Sequence, residues 1–354
     1  MTLVAQLQAR PEAYLYGEPQ AEALIRHQPE DFRVDEILGF EPEGEGEHLF
    51  LQIEKIGENT DWVARQLAKF MGANPREIGY AGKKDRHAIT TQWFSVKHPI
   101  KAPNPSWGLF NSPTIRVLQQ VRHSRKLKLG SLQGNRFSIR LREVTHPQEV
   151  LQRCALLEQG VPNYFGEQRF GHQLGNLIKG EAMLAGQLKE RQSHKRGLYI
   201  SALRSALFNQ VVSERIQQGR WSQVQFGDVL MLNGSQSCFL ATDDLLELEQ
   251  RLYQQDVHLT APMWGVGPLM TQAEVAEQEA RLAQDWSVWT QGLEGLGLKQ
   301  ERRAMRLVPQ ALQVERIGEQ DLLLSFTLTS GAFATSVLRE CVKVRNERSS
   351  LDHE

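Results

Sequence analysis

Residues 79–96 read GYAGKKDRHAITTQWFSV, a glycine-rich and charged run that passes directly into β-branched and aromatic residues. The second part, 89–96, predicts a strand. The first part belongs to a polar loop over 73–88. Upstream, HLFLQIEKI (48–56) sets Leu49, Leu51 and Ile53 on one side, the period of two expected of a half-buried strand. Asn59-Thr60 then supplies a helix start, and Val63, Leu67, Phe70 and Met71 recur at helical spacing until Gly72 stops the helix. The loop is therefore held between a capped helix and a strongly patterned strand, and loops on rigid flanks are where reactive groups tend to sit.

Outward from this centre the pattern stays mixed. NRFSIRLREV (135–144) alternates Phe137, Ile139 and Leu141 as a strand, and 149–159 forms a short helix closed by Gly160 and Pro162. A domain boundary is expected there. Helices follow over 199–218, 243–255 and 271–290, the last opening with a Thr271 to Glu274 capping box, with a strand-like stretch at 226–241. Strands return at 311–316 and 321–328, and Ser330-Gly331-Ala332 introduces a final helix bearing Val337, Leu338, Cys341 and Val342. The fold class expected is α/β (α+β), and a length of 354 residues exceeds one ordinary core, so two domains are expected.

With 40% hydrophobic and 23% charged residues and no apolar run near the roughly 20 residues of a membrane span, the composition is that of a soluble globular protein with no membrane association. The opening MTLVAQLQARPEA lacks a basic segment followed by an apolar core, so a cytoplasmic protein is expected. Cys154, Cys238 and Cys341 are odd in number and widely spaced, which argues against a disulfide framework or zinc site and for small core residues. Net charge is −1, without the global excess of cations usual in a nucleic-acid binder. Charge is instead segregated. Residues 29–47 carry eight acids against Arg33, while Arg122, Arg125, Lys126 and Lys128 stand together without an acid. Further basic clusters occur at His194-Lys195-Arg196 and at Lys299, Arg302, Arg303 and Arg306. Together these patches would line a groove for a polyanion; separately each is an ordinary solvated face.

Gly82-Lys83 suggests a phosphate-binding P-loop, but that motif requires glycine at 77 and Ser or Thr at 84, where Glu77 and Lys84 stand. HExxH and Rossmann glycine patterns are absent too, so no metal or nucleotide cofactor is implied. Asp85 lies between Lys84 and Arg86 with His87 next. Cationic neighbours favour its ionised form, which suits a nucleophile or an electrostatic stabiliser. The plain alternative is a turn aspartate paired with Arg86.

The segment 79–96 resembles the catalytic signature of the TruD pseudouridine synthases, which runs close to G-x-A-G-x-K-D-[RK]-H-A-x-T-x-Q-W. The resemblance extends through PEDFRVDE (29–36), GEGEHLFLQIEKIG (44–57), RKLKLGSLQGNRFSIRLREV (125–144), GVPNYFGEQRFG (160–171), SALRSALFNQVVSERI (201–216) and SGAFATSVLREC (330–341). It implies a catalytic domain with a mainly antiparallel sheet built from 1–160 and 306–354, interrupted by a largely helical insertion over 161–305. It implies Asp85 as the catalytic aspartate and Phe32, Asn135, Phe137 and Phe333 around a target uridine, where aromatic rings would stack on a flipped base. Where close members have a lysine shortly before P-E-D-F this chain has Arg26, which keeps the charge but cannot carry a proton. The resemblance implies uridine 13 in the D arm of tRNA as target and isomerisation without a cofactor. The cations expected along tRNA are Lys84, Arg86, His87, Arg122, Arg125, Lys126, Lys128, Lys195, Arg196, Arg302 and Arg303. A monomer with no obligatory protein partner is the default. Two rivals are an RNA-binding or chaperone module without catalysis, and a hydrolase that would release free uracil.

Overall fold

The computed structural model describes residues 2–345. Contacts divide the chain into two compact units: Met1–Glu18, Gln159–Val308 and Thr335–Glu340 form one, and Pro19–Glu158, Pro309–Ala334 and Cys341–Glu354 the other. The sequence boundary at 160/161 lies close to the contact boundary at 158/159, but the first eighteen residues and 335–340 group with the middle of the chain. Backbone hydrogen bonds explain this, for Leu15 N and Tyr16 N donate to the buried Glu340 carboxylate and Ala13 N donates to Ser213 Oγ.

The second unit is built on an eight-stranded sheet. In chain order its strands are β1 (Phe32–Leu38), β2 (His48–Ile56), β3 (Gly79–Tyr80), β4 (Ile89–Lys97), β5 (Ile115–His123), β6 (Leu132–Leu141), β7 (Gln310–Arg316) and β8 (Leu322–Thr329). Their spatial order is β7-β8-β6-β1-β4-β2-β5, with β3 beside β4. Only the β1–β4 pair is parallel among them. Strands β1, β3 and the outer β5 are not among those expected from the sequence; in β5 the row Ile115, Val117 and Val121 is interrupted by Gln119.

Helix Thr60–Met71 ends at Gly72 in the left-handed region (φ 61°), as the sequence predicts. Its Val63 and Leu67 pack with Leu49, Leu51, Ile53, Phe94 and Val96 of β2 and β4. Phe50, Trp93, Ala81 and Leu127 form a second buried cluster. Strand registers align Phe32, Val34 and Glu36 of β1 with Ile139, Phe137 and Asn135 of β6, and the sheet continues through Thr90 and Gln92 of β4 to Lys55 and Ile53 of β2. These strands carry the residues of interest.

The first unit holds an antiparallel sheet in the order Cys238–Leu240, Val229–Leu232, Val257–Met263, Glu301–Ala304. The long helix Ser193–Gln217 and the helices Gly175–Leu184, Leu245–Tyr253, Ala273–Asp285 and Ser287–Gly295 accompany it. Two sequence expectations change here. The Thr271 capping box does not form, because Gln272 caps the helix and Thr271 Oγ1 donates instead to the buried Glu279. The basic stretch near 302 is not a surface run but the strand Glu301–Ala304, with Arg302 only 7% exposed. Cys154 and Cys341 are buried and Cys238 is half-buried, all as free thiols. No helix among the described residues is long and apolar enough to cross a membrane.

Candidate active site around Asp85

The loop 81–88 is held at almost every step. Gly130 N donates to Ala81 O at 2.8 Å, Gln92 Nε2 donates to Gly82 O, and Lys84 N donates to Thr60 Oγ1 at 3.1 Å. Thr60 in turn donates to Gln92 Oε1 at 3.0 Å, so the first residue of the helix and an inward side chain of β4 clamp the loop from both sides. Tyr80 OH and Lys83 Nζ both donate to Asp61, at 2.7 and 2.8 Å. These bonds leave the Asp85 side chain 38% exposed at the end of a braced segment.

The cation that meets Asp85 is not a chain neighbour. Arg26 Nη2 donates to Asp85 Oδ2 at 2.9 Å, and its guanidinium lies 4.0 Å from the centroid of the Phe32 ring. Arg26 adopts φ 56°, a left-handed backbone that turns the chain just before the 3-10 turn Pro29–Asp31. Asp31 anchors that turn from beneath through a two-pronged pair with Arg142, 2.8 Å on each oxygen. Phe32 is thereby fixed at the start of β1.

Lys84 points the other way. Its Nζ donates at 2.5 Å to Glu36 Oε2, and both side chains are almost fully buried. Glu36 Oε1 also accepts from Trp93 N. Burial pushes the Glu36 carboxyl up, against the opposing pull of Lys84 and of the Trp93 amide. Lys84 is therefore a buried structural ion, not the outward RNA contact expected from sequence. Arg86 is exposed, with Nε donating to Gly57 O at 3.3 Å, and His87 is exposed beside it.

Phe32 and Phe137 are core residues, 1% and 7% exposed. Phe137 meets Phe32 edge-on at 6.2 Å and stacks on Phe326 at 5.5 Å, so its ring supports the face from inside. Asn135 lies opposite Glu36 on the same face, and its buried Oδ1 has no hydrogen-bond partner among the described residues. The preceding Gly134 is dictated by packing, since a Cβ there would lie 2.2 Å from Leu328 O. Ser330 N donates to Gln133 O at 3.0 Å, which brings the turn before half-buried Phe333 to this end of β6.

The remaining expected cations divide by exposure. Arg125, Lys128, Lys195 and Arg196 are exposed. Arg122 is spent on three carbonyls, those of Gly46, His98 and Pro99, and Lys126 Nζ on Arg76 O at 2.6 Å. Arg302 forms a buried two-pronged pair with Glu279, at 3.0 and 2.9 Å. Arg303 lies 4.3 Å from the Phe165 centroid and donates to Asn163 Oδ1, and burial with the nearby Arg169 pulls it down to about 10. Arg122, Arg302 and Arg303 are thus corrected from RNA contacts to internal braces, because each guanidinium is already committed to protein acceptors or rings.

Sequence reading missed Glu36, Gln92, Thr60 and Lys55. Lys55 carried a readable signal: it continues the row Leu49, Leu51, Ile53 on the inward side of β2, where a cation demands a partner.

A mainly antiparallel α/β frame thus holds a half-exposed carboxylate against an arginine, on a clamped loop beside buried aromatics. The family model of tRNA pseudouridine synthase D (TruD) matches residues 9–194 and 174–341. A tRNA pseudouridine synthase D of Aeromonas hydrophila is 48% identical over 333 residues, covering 94% of each chain. That of Hydrogenovibrio crunogenus is 43% identical over 339 residues, covering 95% of this chain and 97% of the relative. The solved structure of the putative tRNA pseudouridine synthase D from Methanosarcina mazei shares the fold, with a TM-score of 0.75 at 21% identity over 95% of this chain and 97% of that one. The chain belongs to the tRNA pseudouridine synthase D family.

Proposed function

We propose that this tRNA pseudouridine synthase converts uridine 13 in the D arm of tRNA, with Asp85 as the essential carboxylate. The observation that carries the reading is the 2.9 Å pair of Asp85 with Arg26, made by a partly exposed carboxylate on a loop clamped by Gln92 and Thr60. In the reaction the C1′–N1 bond of the nucleotide breaks, the uracil turns, and C1′ joins C5; C5 gives up its proton and N1 gains one, so no other reactant is consumed. A carboxylate beneath the sugar serves this by attacking C1′ or by taking a proton from C2′, and Asp85 fits both uses. Arg26 donates to the carboxylate and, as an arginine, does not serve as a proton carrier. Detached uracil must be held until it rejoins, and the orphaned Asn135 Oδ1 supports a hydrogen bond from an imide N–H of the base. Half-buried Phe333 supplies apolar surface for the extruded base, while Phe32, buried under the Arg26 guanidinium, and Phe137 behind it brace that face from inside. Exposed Arg86, Arg125, Lys128, Lys195 and Arg196, with exposed His87, are the side chains that would meet phosphate.

The test incubates unmodified tRNA with the protein and with Asp85→Asn, then maps pseudouridine by carbodiimide-dependent primer-extension stops. A stop at uridine 13 that disappears with a folded, tRNA-binding Asp85→Asn is expected. Stops at another uridine would displace the site assignment, and full activity of Asp85→Asn would displace Asp85. Release of free uracil would instead mark a hydrolase.

A further inference from the structure

Lys55 is fully buried, yet it is a lysine near the end of β2 on the face that Leu49, Leu51 and Ile53 line. Such a cation is costly to bury unless its donors are used. Its Nζ donates to Glu58 O at 2.7 Å and to Asp85 O at 3.1 Å. The second bond reaches the peptide of the residue that carries the proposed chemistry. It completes a row of ties on the loop: Gln92 holds Gly82 O, Thr60 holds Lys84 N, and Lys55 holds Asp85 O. The first two fix the approach to Asp85, and only the third acts on Asp85 itself. An apolar residue would fill the same space on this face without that bond.

Resting on the reading of Asp85 given above, we propose that Lys55 is a positioning residue for the isomerisation, its ammonium fixing the Asp85 peptide from inside the fold so that the carboxylate meets the sugar at one angle. Displacement of a reacting group by about 1 Å can cost on the order of a hundredfold in rate, so the effect falls on the chemical step and spares tRNA binding. The charged groups that act on Lys55 are Asp85 and Glu58, which favour the ammonium, and Lys84, which opposes it. Burial outweighs them and brings Lys55 down to about 8. The ammonium is therefore present below that pH and lost above it, and its grip on the Asp85 carbonyl weakens as pH rises through about 8.

The experiment measures single-turnover pseudouridine formation with enzyme in excess over unmodified tRNA between about pH 6.5 and 9, alongside tRNA affinity and thermal melting, for the wild type, Lys55→Met, Lys55→Gln and Asp85→Asn. Both Lys55 variants are expected to melt cooperatively and to bind tRNA within about threefold of wild type. Their rate at pH 7 should fall roughly ten- to a hundredfold, and the wild-type decline above about pH 8 should be absent from them. Rates within about twofold of wild type, a loss matched by weaker tRNA binding, or failure of both variants to fold would each overturn the proposal, the last by assigning Lys55 to stability alone. Asp85→Asn separates the two readings. If it is active, the assignment of Asp85 falls; if it is inactive while Lys55→Met works normally, only the role of Lys55 falls.

Discussion

Asp85 shows how chain neighbours can mislead about an ion pair. Lys84 and Arg86 flank it, but Lys84 donates inward to the buried Glu36 and Arg86 donates to the carbonyl of Gly57. The pairing cation is Arg26, fifty-nine positions earlier and placed by a left-handed backbone. Arg26 also covers Phe32, so its loss removes both the pair and a ring contact. Arg26→Ala should therefore lower the single-turnover rate by about a hundredfold, whereas Arg26→Lys, which restores the charge without the planar fork, should lie within about tenfold of wild type. Equal losses in the two variants would show that the guanidinium plane, and not its charge, is what Asp85 requires.

At the level of elements, β1 and β4 are parallel neighbours, and Glu36 of β1 accepts from the Trp93 amide of β4 and forms a buried ion pair with Lys84 of the loop before it. Removing one partner of such a pair leaves the other charged and dry, which costs about 3–5 kcal/mol. Lys84→Ala should consequently lower the melting temperature clearly while leaving tRNA affinity of the remaining folded protein within about twofold. Arg125→Ala and Lys128→Ala, on the exposed segment before β6, should do the reverse, weakening tRNA binding without a change in melting. Thermal melts and filter binding on the three variants decide the matter. If Lys84→Ala behaves like the exposed pair, the lysine is an RNA contact after all. The period-two reading of β2, the capped helix Thr60–Met71 and strands β4, β6 and β8 were all legible, because each is written in a contiguous run of apolar, β-branched or helically spaced residues. β1, β5 and the strand Val257–Met263 were not: Gln119 interrupts the row Ile115, Val117 and Val121 of β5, and Val257–Met263 is buried on both faces and has no alternation to read.

Over the whole molecule a net charge of −1 coexists with exposed Arg125 and Lys128 in one unit and exposed Lys195 and Arg196 in the other. Binding through these sites releases counterions, so log affinity for tRNA should fall linearly with log salt, and Lys195→Ala with Arg196→Ala should flatten that slope by roughly 0.7–0.9 for each phosphate no longer neutralised. Arg302→Met, by contrast, should leave the slope unchanged and lower stability, since Arg302 is committed to Glu279. A reduced slope for Arg302→Met would put that side chain back on the RNA surface. The sequence by itself determined the α/β class, the loop that carries Asp85, and the motifs that make the family recognisable, because these are written in local periodicity and in contiguous residues. Which cations are surface and which are internal braces, which arginine meets Asp85, and why a lysine is buried in β2 were decided only by the tertiary structure. Charge pairing and burial depend on what the fold brings opposite a side chain, and residues 26, 36, 55 and 85 become neighbours only when the strands align.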